Sequence, residues 1–223
     1  MNHRTLLEIM KYKIPLTTIL SHSRVYISHF DDDFNFDAKF LANLRIIEKI
    51  IVQNSSTKNL LSKLDIPDEK ISVAIGAIDR SVFFPSINYV STQSYVAISG
   101  DCKPRKNPQK ILELISSCPH FEFKIHGKGW DLFFAQEKFA PANLQLIDFN
   151  YSKQGAFLRN AGVSVSLATI EGGPLTILES LACGTPVVAT NIGFWPDIHN
   201  SELGSIIELD ANLNSIIGEV SKQ

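Results

Sequence analysis

Between Val163 and Thr190 the chain reads VSVSLATIEGGPLTILESLACGTPVVAT, and few folds accommodate such a stretch. An apolar run, Val163 to Leu167, is followed by the loop Glu171-Gly172-Gly173-Pro174. Helical spacing then runs from about Pro174 to Ala182, Gly184 supplies a stop, and a second apolar run covers Pro186 to Ala189. The order strand, tight loop, helix, strand is that of a crossover between parallel strands. Proline suits the first helical turn because its missing N–H would be unpaired there anyway, and glycine suits the position just past the end. Two glycines before the helix let a ligand approach bare backbone. The first-turn N–H groups lack intrahelical partners and the helix dipole favours an anion there, which makes the loop a candidate phosphate seat. Glu171 stands at the loop entrance, and Glu179 lies about one and a half turns into the helix. The plain alternative is a strand–helix crossover with a glycine-rich turn and no ligand.

Strands alternate with helical segments through the rest of the chain, which predicts an α/β protein with parallel sheets and flanking helices. Strands are expected over Leu16–Leu20, Val25–Ile27, Ile50–Val52, Ile71–Ile75, Tyr95–Ser99, Phe121–His126 and Leu144–Ile147. Helices are expected over Thr5–Tyr12, Asp37–Lys49, Ser55–Leu64 (capped by Asn54 or Ser55), Asn107–Ser117, Asp131–Glu137, Ser152–Asn160 and Leu213–Val220. The polar stretch Ser86–Ser94 reads as a linker. It divides the 223 residues into a first domain over 1–88 and a second over 89–223.

Composition narrows the function classes. A 44% hydrophobic and 20% charged chain is ordinary for a globular protein, and a net charge of -2 gives no drive toward nucleic acid or acidic membrane. No apolar run is long enough to span a bilayer. The start, MNHRTLLEIMKYK, has neither the apolar core nor the cleavage site of a signal peptide. Cys102, Cys118 and Cys183 are odd in number and lack metal spacing, so they read as reduced cytosolic thiols. A cytoplasmic location is expected, with peripheral attachment to a membrane left open. No P-loop, nucleophile elbow or nucleic-acid reader occurs.

The residues Glu171-Gly172-Gly173-Pro174 and Leu178 to Thr190 resemble the EGxP…LEAxACGxPVVAT signature of family 4 glycosyltransferases. The resemblance implies the GT-B fold, two Rossmann-like domains, and a retaining transfer of sugar from a nucleotide sugar to an acceptor glycan, lipid or small molecule. Glu171 and Glu179 match the family's E-x7-E pair. The resemblance implies that Glu179 hydrogen-bonds the ribose, that Glu171 contacts the donor sugar, and that the backbone of Gly172, Gly173, Pro174 and Leu175 contacts phosphate or sugar. Further upstream, Gly76-Ala77-Ile78-Asp79 with Phe83-Phe84-Pro85 is similar to the family's "NGVD…F.P" segment, with Ile75 in place of Asn. The matched region covers the donor domain and only the tail of the acceptor domain. A truncated form, a piece of a longer protein or one part of a split enzyme is therefore expected.

The loop Gly100-Asp101-Cys102-Lys103-Pro104-Arg105-Lys106 is similar to the family's "GRxxxxKG" loop, whose basic residues clamp the diphosphate. Lys106 falls on the Lys position and is expected to act with Glu171 in catalysis. Gly100, Arg105 and Gly127 are expected to border the donor. Asp101 stands where the family has Arg and Asn107 where it has Gly. A carboxylate beside a diphosphate is repulsive, so either Asp101 weakens the clamp or Lys103 or Arg105 compensates. Gly127-Lys128-Gly129 resembles the family's glycine turn, although a tight turn needs no ligand. His126 reads as a satisfied strand-end histidine, and His22 and His29 are both open for the family's donor-sugar histidine.

The resemblance implies that no cofactor or metal is needed, because in that family Lys, Arg and a helix N-terminus neutralise the leaving diphosphate. Asp31, Asp32 and Asp33 form the one acidic run suited to a hard cation, a solvated turn being its plain alternative. The expected partners are a nucleotide sugar, an acceptor the sequence does not name, and either a partner subunit or further copies of the chain. The rival reading is a non-catalytic nucleotide-sugar-binding subunit that relies on a partner for acceptor recognition.

Overall fold

The structure is a computed structural model that describes residues 17–20, 42, 45, 49–85, 95–208 and 210–220. The expected helix Thr5–Tyr12, the strand Val25–Ile27, most of the helix Asp37–Lys49, the linker Ser86–Ser94, His22, His29 and Asp31–Asp33 lie outside the described residues. The described chain groups into two compact units. The first takes Met1–Gly76 with Ile170–Gly173, the second Ala77–Thr169 with Pro174–Gln223.

The first unit carries a parallel sheet in the order β1 (Thr17–Leu20), β2 (Lys49–Val52), β3 (Ile71–Val73). Ile50 and Val52 of β2 are fully buried, and Leu61, Ile66 and Ile71 pack in the same interior. Helix α1 (Ser55–Lys63) follows β2 directly. Of the two caps the sequence left open, Asn54 is the one used. Its extended backbone lets Oδ1 accept from the Thr57 N–H at 2.7 Å, which satisfies one of the orphan donors of the first turn.

The second unit is a parallel sheet in the order β6-β5-β4-β7-β8-β9. Its strands are β4 (Tyr95–Ser99), β5 (Phe123–His126), β6 (Leu144–Ile147), β7 (Ala161–Ser166), β8 (Val187–Thr190) and β9 (Gly204–Ile207). Counted within this unit, the order is 3-2-1-4-5-6, the doubly wound Rossmann arrangement. The connecting helices are α2 (Pro108–Ser117), α3 (Trp130–Glu137), α4 (Tyr151–Arg159), α5 (Leu175–Ala182), α6 (Trp195–Ile198) and α7 (Leu213–Val220).

The alternation of side chains along the central strand explains why both faces need helices. Val96 and Ile98 of β4 join Ile111, Leu114 and Ile115 of α2, Trp130 and Phe134 of α3, and Ile216 of α7. Tyr95 and Ala97 point into another cluster with Phe157 and Leu158 of α4 and with Phe83. A strand covered on both sides reads as a continuous apolar run, which is what YVAIS shows. Tyr95 keeps its hydroxyl satisfied by donating to the Phe157 carbonyl at 2.5 Å. Burial, with help from Glu122, pushes its phenol up to about 12. Each large apolar side chain so buried contributes about 1.5–3 kcal/mol.

Gly155 on α4 is set by close approach. A Cβ there would fall 2.0 Å from the Val82 carbonyl oxygen, so only glycine lets this helix meet the segment that carries Phe83. Two elements go beyond the expectation from sequence, the edge strand β9 and the short α6. GSII and WPDI are each too short to show a period. They are fixed by pairing with β8 and by the burial of Trp195.

Candidate functional site

In a doubly wound sheet the crevice lies outside the carboxyl ends of the strands, where the strand order reverses. Here the reversal falls between β4 and β7. The loops leaving those strands are stitched together at that point. The Thr169 N–H donates to the Arg105 carbonyl at 2.7 Å, and the Thr169 hydroxyl donates to the same oxygen at 3.3 Å. A small pocket opens beside this stitch, lined by Ser99, Gly100, Lys106, Trp130, Ser166 and Leu167.

Gly100 ends β4. Its N–H donates to the His126 carbonyl at 3.1 Å, and its own carbonyl accepts from the Trp130 indole N–H at 2.9 Å. Lys106 folds back over it, so that a Cβ added to Gly100 would stand 3.8 Å from Nζ. Asn107 follows Lys106 with φ 57°, in the left-handed region. Asn is among the few residues with a side chain that visit that region readily, so its replacement of the expected glycine leaves the backbone turn intact. Helix α2 then begins with Pro108.

Gly127 meets the same loop from β5. A Cβ there would lie 2.1 Å from the Gly100 carbonyl oxygen. The absence of a side chain at this position is explained by loop packing alone. The Asp101 carboxylate is turned toward this second loop and accepts from the Lys128 N–H at 3.2 Å, while the Cys102 N–H donates to the Lys128 carbonyl at 2.8 Å. Asp101 therefore holds two loops of the site together.

Glu179 of α5 sits at the same end of the sheet, and a buried chain of polar groups leads to it. The Asn150 N–H donates to His126 Nε2 at 2.9 Å. That assigns the ring proton to Nδ1, which faces Gln154 Oε1. The Gln154 amide nitrogen is then left to donate, and it does so to Ser99 Oγ and, at 3.4 Å, to Glu179 Oε2. His126 and Gln154 are 1% and 2% exposed, so these two must find their partners within the protein. Burial pushes the Glu179 carboxyl above its ordinary value, and the Gln154 hydrogen bond and the charge of Lys106 partly offset this.

Helix α5 begins at Leu175, with Pro174 as its cap. Leu175 is exposed and the Ile177 N–H already donates to the Pro174 carbonyl at 2.9 Å. Within the first unit, the Gly172 carbonyl accepts from Asn54 Nδ2 at 2.7 Å, and Gly173 lies against the Gln53 side chain. Glu171 is buried, at 6% exposure.

The second unit thus brings together Gly100, Arg105, Lys106, Gly127 and Glu179 from the residues singled out in the sequence. Gln154, Ser99, Trp130 and Asn54 were not singled out for the site. Gln154 had a legible signal, because it shares the inward face of α4 with Phe157 and Leu158, at spacings of three and four residues. A polar residue on a buried face has to be paired. Among the described residues, no cluster of three His, Cys, Asp or Glu side chains is placed to hold a metal, and no helix is long and apolar enough to cross a membrane.

Residues 79–216 match the family described as glycosyl transferases group 1. No curated protein matches the chain. Among solved structures, a mutant of S. aureus TarM in complex with fondaparinux, alpha-GlcNAc-glycerol and UDP is similar at 18% identity and a TM-score of 0.73. The match covers 92% of this chain and 43% of that one. Sucrose-phosphate synthase from Thermosynechococcus elongatus is similar at 13% identity and a TM-score of 0.79, over 96% of this chain and 60% of that one. Anabaena HepE in complex with UDP is similar at 14% identity and a TM-score of 0.72, over 98% of this chain and 66% of that one. The chain thus spans between 43% and 66% of the length of these structures, with which it shares its fold.

Proposed function

The chain belongs to the glycosyl transferases group 1 family, and from that premise we propose that it binds a nucleotide sugar and transfers the sugar to an acceptor with retention of anomeric configuration. The observation that carries the reading is the convergence of Lys106 and Glu179 at the point of strand-order reversal. An ammonium group suited to a diphosphate and a carboxylate suited to vicinal hydroxyls feel each other's charge there. UDP in two of the similar structures makes uridine the first nucleoside to test.

In this proposal Glu179 accepts the ribose hydroxyls, since hydrogen bonds to a charged acceptor are stronger than neutral ones. Lys106 and Arg105 face the diphosphate, with Gly100 and Gly127 keeping the backbone low beside it. The N–H groups of the Gly172–Leu175 turn hold phosphate or sugar, and Glu171 discriminates the sugar. In the transfer, the bond from the anomeric carbon to the diphosphate oxygen breaks and the acceptor hydroxyl oxygen bonds to the same face. The hydroxyl proton passes to the departing diphosphate, so no protein base is required. Lys106 and the α5 N-terminus stabilise the charge that develops on the leaving group, and no metal is assigned.

A second reading is a nucleotide-sugar-binding subunit that needs a partner for acceptor recognition. It is favoured by Asp101, a carboxylate where the family's loop has a basic residue. Donor hydrolysis and transfer from UDP-sugars, assayed for the chain alone and with cell extract, separate the two. Turnover by the chain alone supports the transferase, and turnover only with extract supports the subunit. Absence of both, together with no nucleotide binding, overturns the two readings.

A further inference from the structure

Glu179 is a partly buried carboxylate on α5. The groups around it come from separate elements. Gln154 of α4 donates to it, and its charge is felt by Lys106 in the loop after β4, by Tyr151 of α4 and by Cys183 at the end of its own helix. Of these Gln154 is buried and is the one whose side chain hydrogen-bonds the Glu179 carboxylate. Its amide has two ends, and each end has one possible use. Oε1 is taken by the proton on His126 Nδ1, because Nε2 of the same ring is occupied by the Asn150 N–H. The nitrogen must then face Ser99 and Glu179. A flipped amide would present oxygen to a carboxylate and nitrogen to an N–H, which the buried site does not permit.

We propose that Gln154 is a positioning residue that aims the Glu179 carboxylate, with its amide orientation set by the His126 tautomer and braced by Ser99. The inference rests on the reading in which Glu179 accepts the ribose hydroxyls. At 2% exposure Gln154 does not itself reach a ligand. Its effect has to pass through Glu179. Replacing it by methionine keeps volume and flexibility while removing all three hydrogen bonds, to His126, Ser99 and Glu179.

The test is calorimetric titration of the full 223-residue chain with UDP and with 2′-deoxy-UDP. Gln154→Met is expected to weaken UDP binding about fivefold, the worth of one ordinary hydrogen bond, and to weaken the deoxy form less. A carboxylate deprived of a donor also gains its proton at higher pH. The pH below which UDP affinity falls is therefore expected to move upward in Gln154→Met. In a Glu179→Gln background the further change to methionine is expected to cost nothing more.

Ser99→Ala, which removes only the brace, is expected to show the same pattern with a smaller loss, and it carries the test should Gln154→Met fold poorly. Equal losses for both nucleotides, persisting in the Glu179→Gln background with an unmoved pH profile, would show a merely structural glutamine and overturn the proposal. Unchanged UDP affinity in both single variants overturns it as well. Undiminished binding by Glu179→Gln alone would instead sink the ribose role of Glu179, and this inference with it.

Discussion

The carboxylate of Asp101 accepts a hydrogen bond from the backbone N–H of Lys128, 27 residues away, at 3.2 Å. This one contact changes the meaning of the least expected residue in the clamp loop. Read as sequence, Asp101 is a negative charge in the place of an arginine. In the structure it is also the tie between the loops after β4 and β5. Charge and geometry at this position therefore pull in opposite directions, and substitutions can separate them.

Asp101→Asn keeps an oxygen acceptor for the Lys128 N–H and removes the charge. It is expected to tighten UDP binding by about 1 kcal/mol, the order of one unit charge several ångströms away at intermediate dielectric. Asp101→Arg adds a favourable charge but breaks the tie, and it is expected to gain less than Asp101→Asn or to lose affinity. Titration of the two variants side by side checks this. A clear advantage for Asp101→Arg would mean that the tie is unimportant.

Gly127→Ala is expected to damage the site without touching its charges. The added methyl would overlap the Gly100 carbonyl oxygen, which is backbone and cannot swing aside. The loops must part, at a cost of about 1–3 kcal/mol of stability, typical of overpacking. The weakening of nucleotide binding should exceed that seen for Gly129→Ala, which strains a left-handed turn (φ 82°) but meets no atom nearer its Cβ than the Cys102 side chain at 3.6 Å. Thermal unfolding and titration of both variants test the order.

Glu179→Gln is expected to trade function for stability. Burial holds the Glu179 carboxyl above its ordinary value despite Gln154 and Lys106. A carboxyl with a higher folded than unfolded value favours folding while protonated. That advantage is whole below the unfolded value and is lost as the pH rises through the folded one. At neutral pH the ionised form therefore costs stability, so Glu179→Gln should raise Tm at pH 7. The gain should vanish below about pH 4, where the carboxyl is protonated in the folded and the unfolded chain alike. UDP affinity should fall at neutral pH. A lower Tm for the variant at pH 7 would mean that Gln154 and Lys106 outweigh the burial.

Much of this was legible in the residues. Strands β4 and β6 appear with the bounds that their apolar runs suggest, and Glu179 and Lys106 were singled out from their motifs. What the sequence does not reveal are relations across the sheet. Nothing in the string Gly100-Asp101 says that Lys128 is its partner, because that pairing depends on β4 and β5 being neighbours. The loss of glycine at Asn107 looked like a departure and is conformationally neutral, since asparagine takes the same left-handed turn. Gln154 was legible as a polar residue three and four positions from Phe157 and Leu158, but its partners His126 and Ser99 lie on other elements and leave no signal in the string. The edge strand β9 is defined only by its ladder to β8.

On the proposed reading a nucleoside diphosphate binds at the carboxyl end of the second sheet through Lys106 and Glu179, without a metal. Titration calorimetry of UDP, GDP and ADP into the chain in the presence of a chelator tests it most directly, with Lys106→Ala and Glu179→Ala alongside. The account predicts saturable binding of one of these nucleotides with the chelator present. Glu179→Ala should weaken it by about 1.5–3 kcal/mol, the worth of a charged hydrogen bond, and Lys106→Ala by a similar amount. Binding that requires added Mg²⁺ or Mn²⁺, or binding indifferent to both substitutions, would contradict it.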